Sequence, residues 1–329
     1  MTKNLLLGST ALVGAVALAT PAFADIEVTL SGQVEFGGSA GTEETVDDGT
    51  RGYYFFMDSE TVIRAEGETD SGIGYAGKVE LETDADIQTV NADETALYFW
   101  GGFGRAELGR DDGAADNMFV AGEDFQAGTG GIDGDADNLD LPGVQDSSDA
   151  AKVTYFTPRI AGFQLGASFT PDTGDAEDAN DDDDDIEDHV ELGANYVGAF
   201  GGADVTLSGI GSIGNGETNS DDLEDWGIGG GVEFGGIGVG AGYVWNGDLN
   251  EGDGFTIGGR YGFGAANVSA GYSSNNPDDG DRTNVLVFAA DYGLWPGVTL
   301  KGDIAFNDED EDDDGDSTTA GVLTVQLDY

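Results

Sequence analysis

The feature that most limits how this chain can fold is a side-chain period of two, repeated from near its start to its final residue. Ile26, Val28, Leu30, Val34 and Phe36 interleave with Glu27, Thr29, Ser31, Gln33 and Glu35. The same alternation carries Val190, Leu192, Ala194 and Tyr196, then Phe255, Ile257, Tyr261 and Phe263, then Val298, Leu300, Ile304 and Phe306. Successive side chains on a strand point to opposite faces, so this pattern describes strands with one wet and one dry face. Counting such runs gives about sixteen strands, many of about 9–11 residues, which is what a tilted strand needs to cross a bilayer.

The connections sort into two alternating kinds. Short ones include Thr69-Asp70-Ser71-Gly72, Gly101-Gly102, Pro158-Arg159, Gly235-Gly236, Gly264-Ala265 and Trp295-Pro296-Gly297. Long acidic ones cover 37–51, 111–150, 171–187, 213–224, 246–252, 274–281 and 308–316. Short turns on one rim, long loops on the other and an even strand number are the layout of an outer-membrane barrel. Aromatic residues gather at strand ends, at Tyr53 to Phe56, Tyr98 to Trp100, Trp226, Phe234, Tyr243 and Trp245, as interfacial girdles do. The last strand alternates through Leu323, Val325 and Leu327 to the terminal Tyr329. The expected fold is therefore all-β: a transmembrane antiparallel β-barrel of about 16 strands.

Composition removes whole classes of function. With 66 acidic and 11 basic residues the formal net charge is −55, which repels nucleic-acid phosphate. The absence of cysteine excludes disulfide scaffolds, thiolate metal sites and Cys nucleophiles. His189 is the single histidine, so no multi-His metal centre can form. Residues 1–24 read as a secretory signal peptide: Lys3, a small-residue-softened apolar stretch from Leu5 to Thr20, then Ala22-Phe23-Ala24 as the cleavage motif. The mature barrel is expected to occupy 25–329, in the outer membrane of a Gram-negative cell.

The chain resembles the alphaproteobacterial general porins of Rhodobacter-like bacteria. The likeness rests on Asp25-Ile26-Glu27-Val28-Thr29-Leu30-Ser31-Gly32, on Glu66-Gly67-Glu68-Thr69-Asp70-Ser71-Gly72, on Glu107-Leu108-Gly109-Arg110-Asp111-Asp112-Gly113, and on the terminal aromatic strand. The resemblance implies a sixteen-stranded homotrimeric barrel with an aqueous pore and a third long loop folded inward as a constriction. It also implies lipid and lipopolysaccharide around the barrel, and recognition by barrel-assembly machinery through the C-terminal ring. Tyr329 departs from the family's more usual terminal Phe.

Residues 111–150 fit the inward loop by order and length. Loops beyond about 12–15 residues are usually functional or disordered. The loop carries Asp111, Asp112, Asp116, Glu123, Asp124, Asp133, Asp135, Asp137 and Asp140 without one Lys or Arg, and Met118, Phe119, Val120, Phe125, Leu139 and Leu141 are its candidate wall anchors. By parity Arg64, Lys78, Lys152, Arg260 and Lys301 point inward, whereas Arg105 and Arg110 differ in parity on one strand. The expected constriction sets Asp112, Asp116, Glu123 and Asp124 against a basic wall of Arg64, Lys78 and Lys301. Such a transverse field filters small polar solutes by charge and dipole.

Other motifs point nowhere specific. Asp310-x-Asp312-x-Asp314-Gly315 starts like an EF-hand loop, but the closing position is Gly321, so the bidentate Glu is missing. Asp133, Asp135 and Asp137 form a similar half-match, consistent with weak loop-bound calcium and no other cofactor. The G-x-G-x-x-G from Gly209 to Gly214 precedes no helix pattern, so it is not a dinucleotide site. No local signature sets a Ser or Asn beside His189, so an enzyme is not expected. The sequence thus predicts a passive, cation-preferring diffusion channel. Its rivals are a substrate-specific outer-membrane channel and a secreted acidic calcium-binding β-protein or adhesin.

Overall fold

A computed structural model describes residues 26–41, 52–83, 91–129, 143–174, 186–216, 221–247, 249, 251–278, 280, 282–310 and 317–329. The expected signal peptide and Asp133, Asp135 and Asp137 lie outside the described residues. Sixteen strands follow one another: β1 (Glu27–Gly41), β2 (Tyr53–Glu68), β3 (Gly74–Thr83), β4 (Asn91–Gly101), β5 (Gly104–Arg110), β6 (Ala151–Phe156), β7 (Phe163–Asp172) and β8 (Ile186–Phe200). The second half holds β9 (Ala203–Gly216), β10 (Leu223–Phe234), β11 (Ile237–Asn246), β12 (Gly252–Phe263), β13 (Ala266–Pro277), β14 (Arg282–Trp295), β15 (Val298–Asp310) and β16 (Ser317–Asp328). Each pairs antiparallel with its sequence neighbours, and β16 pairs with β1, so the sheet closes. Closure leaves no unpaired edge, which is what allows a sheet to sit in hydrocarbon.

The outward parity is apolar. Val28, Leu30, Phe55, Leu97, Leu165, Leu192, Ile228, Phe288 and Leu323 are all exposed on it. The short rim is turned by glycine where the geometry demands positive φ at both central residues: Gly201 and Gly202 have φ of 63° and 88°, Gly235 and Gly236 61° and 85°. At the seam, Tyr329 exchanges backbone hydrogen bonds with Gly32 at 3.0 and 3.1 Å. Its hydroxyl reaches past β1 to Thr61 Oγ1 on β2, at 2.7 Å.

Three details differ from the sequence expectation. Strands outrun the alternation toward the long loops: β1 reaches Gly41 instead of 36, β9 Gly216 instead of 212, and β13 Pro277 instead of 273. Beyond the hydrocarbon the outward face has no need to be apolar, so the pattern fades while the hydrogen-bond ladder continues. The aromatic clusters at Tyr53 to Phe56 and Tyr98 to Trp100 are not wholly girdle, because the period of two splits them. Tyr53, Phe55 and Phe99 face outward, whereas Phe56 and Tyr98 are buried inside. Finally, part of the inner wall is apolar, with Phe56, Val285, Val287, Ala305, Ala320 and Val322 forming one buried cluster.

Candidate functional site: a constriction loop laid against the inner wall

The connection between β5 and β6 leaves the rim and runs along the inside of the barrel. Its first limb forms a one-turn helix, α1 (Ala114–Met118), and a 3-10 turn at Glu123–Phe125. Neither element can hold itself in water, since a helix this short is nucleation-limited. The wall holds them instead, with one polar side chain per strand accepting a loop amide N–H. Ser168 on β7 accepts from Ala114 at 2.9 Å, Glu191 on β8 from Ala115 at 2.9 Å, and Ser208 on β9 from Val120 at 3.0 Å. Thr256 on β12 accepts from Gly122 at 2.9 Å, Ser269 on β13 from Ala127 at 2.8 Å, and Asp303 on β15 from Thr129 at 2.9 Å. The returning limb bonds Asp225 on β10 through Gln145 N at 2.9 Å and Glu191 again through Ser147 N at 2.9 Å.

Between these acceptors the wall is bare. A Cβ on Gly258 would lie 1.9 Å from the Gly122 carbonyl oxygen, and one on Gly271 would lie 1.6 Å from Gln126 Nε2. On Gly231 it would sit 2.0 Å from the Phe125 ring, and on Gly193 2.6 Å from Met118 Sδ. The inward glycines are therefore the imprint of the loop. They let its backbone lie flush while Met118, Phe125 and Ala121 are buried against the wall. Of the anchors expected from sequence, Phe119 is partly buried with that cluster, and Leu139 and Leu141 lie outside the described residues.

The loop's other face looks into the lumen. Asp112, Asp116 and Asp124 are exposed there. Confinement within the barrel nevertheless costs them hydration. Burial, followed by the neighbouring Asp112, Asp146, Glu191 and Asp124, pushes Asp116 up to about 6. Asp112 is also raised, by burial and then by Asp111, against the pull of Lys78. Glu123 is raised by burial despite accepting from the Thr256 hydroxyl at 2.8 Å.

On the opposite wall each cation lies against carboxylates. Arg64 on β2 pairs with Glu66 at 3.1 Å and lies over the rings of Tyr98 and Trp100. Lys78 on β3 touches three carboxylates: Glu80 at 3.5 Å, Asp111 at 3.1 Å and Glu94. Glu94, Asp111 and Asp112 could together face a cation, and the Lys78 ammonium lies against the first two. Lys301 pairs with Glu35 at 3.4 Å.

A closed sixteen-stranded barrel narrowed by a loop bonded to its inner wall is a channel architecture. The sequence model for Gram-negative porins matches residues 8–312. The chain belongs to the Gram-negative porin family. No curated protein matches it. Among solved structures, a double mutant of the Rhodobacter blastica porin shares 20% identity at a TM-score of 0.69, covering 92% of this chain and 100% of that one. A loop L8 deletion mutant of OmpT, an outer membrane protein of Vibrio cholerae, shares 14% identity at a TM-score of 0.69, covering 92% and 99%. These likenesses carry the fold, and with the family they make this an outer-membrane porin channel.

Within the porin, the structure brings some expected site residues together and separates others. Lys78 meets the root of the loop at Asp111, with Asp112 beside it. Lys301 lies instead on the docking strand β15, two residues from the Asp303 that holds Thr129. No described hydrogen bond or ion pair joins Glu123 or Asp124 to Arg64, Lys78 or Lys301; Glu123 bonds the wall, and Asp124 accepts from Ala121 N at 2.8 Å. Arg105 faces inward on Glu107 and Phe156, while Arg110 pairs with Thr95 on the outward parity. His189 does have a serine neighbour, Ser212, brought by the β8–β9 pairing. Both are fully buried, so the pair is closed to solutes. The acceptors Ser168, Glu191, Ser208, Asp225, Thr256, Ser269 and Asp303 escaped the sequence reading. Their signal is small polar or acidic residues recurring on the inward parity of successive strands among glycines.

Proposed function

We propose that this porin is a general diffusion channel for small hydrophilic solutes and ions, and that it prefers cations. One observation carries the preference: among the described residues Asp112, Asp116 and Asp124 face the lumen without an ion pair, whereas Arg64, Lys78, Arg105, Arg260 and Lys301 each have a carboxylate partner. Paired cations contribute little field at a distance, so the bare loop carboxylates set the sign of the potential along the solute path. In this reading the acidic constriction is Asp112, Asp116, Glu123 and Asp124, and Arg64, Lys78 and Lys301 are cations already matched by wall carboxylates. The protein works as an exported homotrimer in lipid and lipopolysaccharide, assembled through the strand ending in Tyr329, without a catalytic role or required cofactor.

Reconstitution into a planar bilayer under a KCl gradient tests this. A zero-current potential of the sign set by K⁺ supports the proposal, and one set by Cl⁻ overturns it. Liposome swelling that falls smoothly with sugar size fits general diffusion; uptake of one sugar class alone would replace it with a substrate-specific channel.

A further inference from the structure

The two ends of the constriction loop are held by a pair of buried, oppositely charged side chains that the channel reading does not use. Glu191 is 1% exposed and Lys152 5%. Glu191 Oε2 accepts from Ala115 N on the outgoing limb, while Oε1 accepts from Ser147 N and Ser147 Oγ on the returning limb. Lys152 Nζ donates to the Asp111 carbonyl on the outgoing limb and to the Ser148 carbonyl on the returning one. One carboxylate gathers the N–H groups of both limbs, and one ammonium gathers their carbonyls. We infer that Glu191 and Lys152 form a clasp at the neck of the loop, making them the positioning residues that keep the constriction at one size.

The chemistry explains why both charges are needed. A carboxylate offers acceptors on both oxygens, whereas an amide of the same shape offers one acceptor and turns an NH₂ toward the other limb's donors. A buried ion persists only where such bonds replace its hydration, and charge-assisted bonds are about twice as strong as neutral ones. The approach is also prepared sterically. A Cβ on Gly113 would lie 1.8 Å from Glu191 Oε2. Gly113 itself has φ −80° and ψ 179°, a conformation alanine adopts freely. Gly113→Ala therefore disturbs the clasp without straining the backbone.

The inference rests on the channel reading, and the experiment separates the two. Single-channel recordings compare wild type with Glu191→Gln, Lys152→Met and Gly113→Ala, each checked for a folded barrel by heat-modifiable gel migration. Loss of one buried charge-assisted bond shifts an equilibrium about tenfold. The share of time spent above the main conductance level should rise by that factor in each variant. The Glu191→Gln/Lys152→Met double variant should rise by less than the product of the singles, since both act on one neck. Folded variants with wild-type recordings overturn the clasp. Amide hydrogen exchange on the wild type provides a second reading that needs no variant. Ala115 and Ser147 should exchange as slowly as the wall strands, and exchange at the rate of exposed loops would overturn the clasp. Wild-type protein that conducts no ions would remove the channel reading and leave amide exchange to judge the clasp.

Discussion

The two sides of the barrel interior solve opposite problems with the same strand geometry. On β7 to β13 many inward positions are Gly, Ser or Thr, and Gly193, Ser208, Gly231, Thr256, Gly258 and Ser269 touch the loop together with Glu191 and Asp225. On β1 to β5 they include Arg64, Lys78 and Arg105, each against a carboxylate of the same wall, and Glu35, which reaches Lys301 on β15. The first side is shaped to receive a backbone and the second to pair its few cations with carboxylates in water. A pore's selectivity is then decided less by how many charges line it than by which of them lack a partner.

The largest effect that would break this contrast is expected on the receiving side. Met118 is 2% exposed, between Gly166 and Gly193. Met118→Ala should cost about 2–5 kcal/mol of loop docking, as buried large-to-small changes do, read as faster limited proteolysis within the loop. Gly258→Val comes next. Valine suits a strand, but its Cβ would meet the Gly122 carbonyl, so an overpacking cost of about 1–3 kcal/mol falls on the loop. The expected readout is a larger, noisier conductance from a barrel that still migrates as folded. Gly77→Ala is the control on the outward face of β3, where its Cβ would meet nothing nearer than Leu97 Cδ2 at 3.6 Å, so conductance should not change.

At the seam, Tyr329→Phe removes the hydroxyl bond to Thr61 and should lower barrel stability by about 0.5–1.5 kcal/mol. A lower temperature of heat-induced unfolding on gels checks it, and Thr61→Val should reproduce the loss without adding to it. The smallest effect is a titration. Because Asp116 is raised to about 6, it is charged above that pH and neutral below it. Cation preference should therefore weaken as the pH falls from 7.5 to 5, and Asp116→Asn should flatten that step.

What could be read from the sequence followed from the solvent on each face. Lipid requires every second residue of a spanning strand to be apolar, so the strand number, the outward parity and the position of the loop were legible from runs such as Leu323, Val325 and Leu327. Parity also placed Arg64, Lys78 and Lys301 on the inside. It could not show that Lys78 would meet Glu94 and Asp111, because cross-strand register is set by turns and bulges, such as the shift between Val79 and Leu81. Nor could it show the docking side. An inward glycine looks like any turn or flexible glycine until the chain that fills its missing Cβ is known, and for Gly258 that chain is more than a hundred residues away, at Gly122.

The central claim is that unpaired carboxylates on a wall-docked loop set the ion preference, while the paired charges opposite do not. Zero-current potentials in a dilute KCl gradient test it most directly, comparing wild type, the Asp112→Asn/Asp116→Asn/Asp124→Asn variant and a Lys78→Met variant. Salt screens such fields, with a Debye length of about 10 Å at 0.1 M and about 3 Å at 1 M, so the contrast is sharpest at low ionic strength. The account predicts cation preference in wild type, its loss in the triple variant, and a stronger preference in Lys78→Met, which takes the cation from Glu80, Glu94 and Asp111. Wild-type preference for Cl⁻, or a triple variant as cation-preferring as wild type, would contradict it.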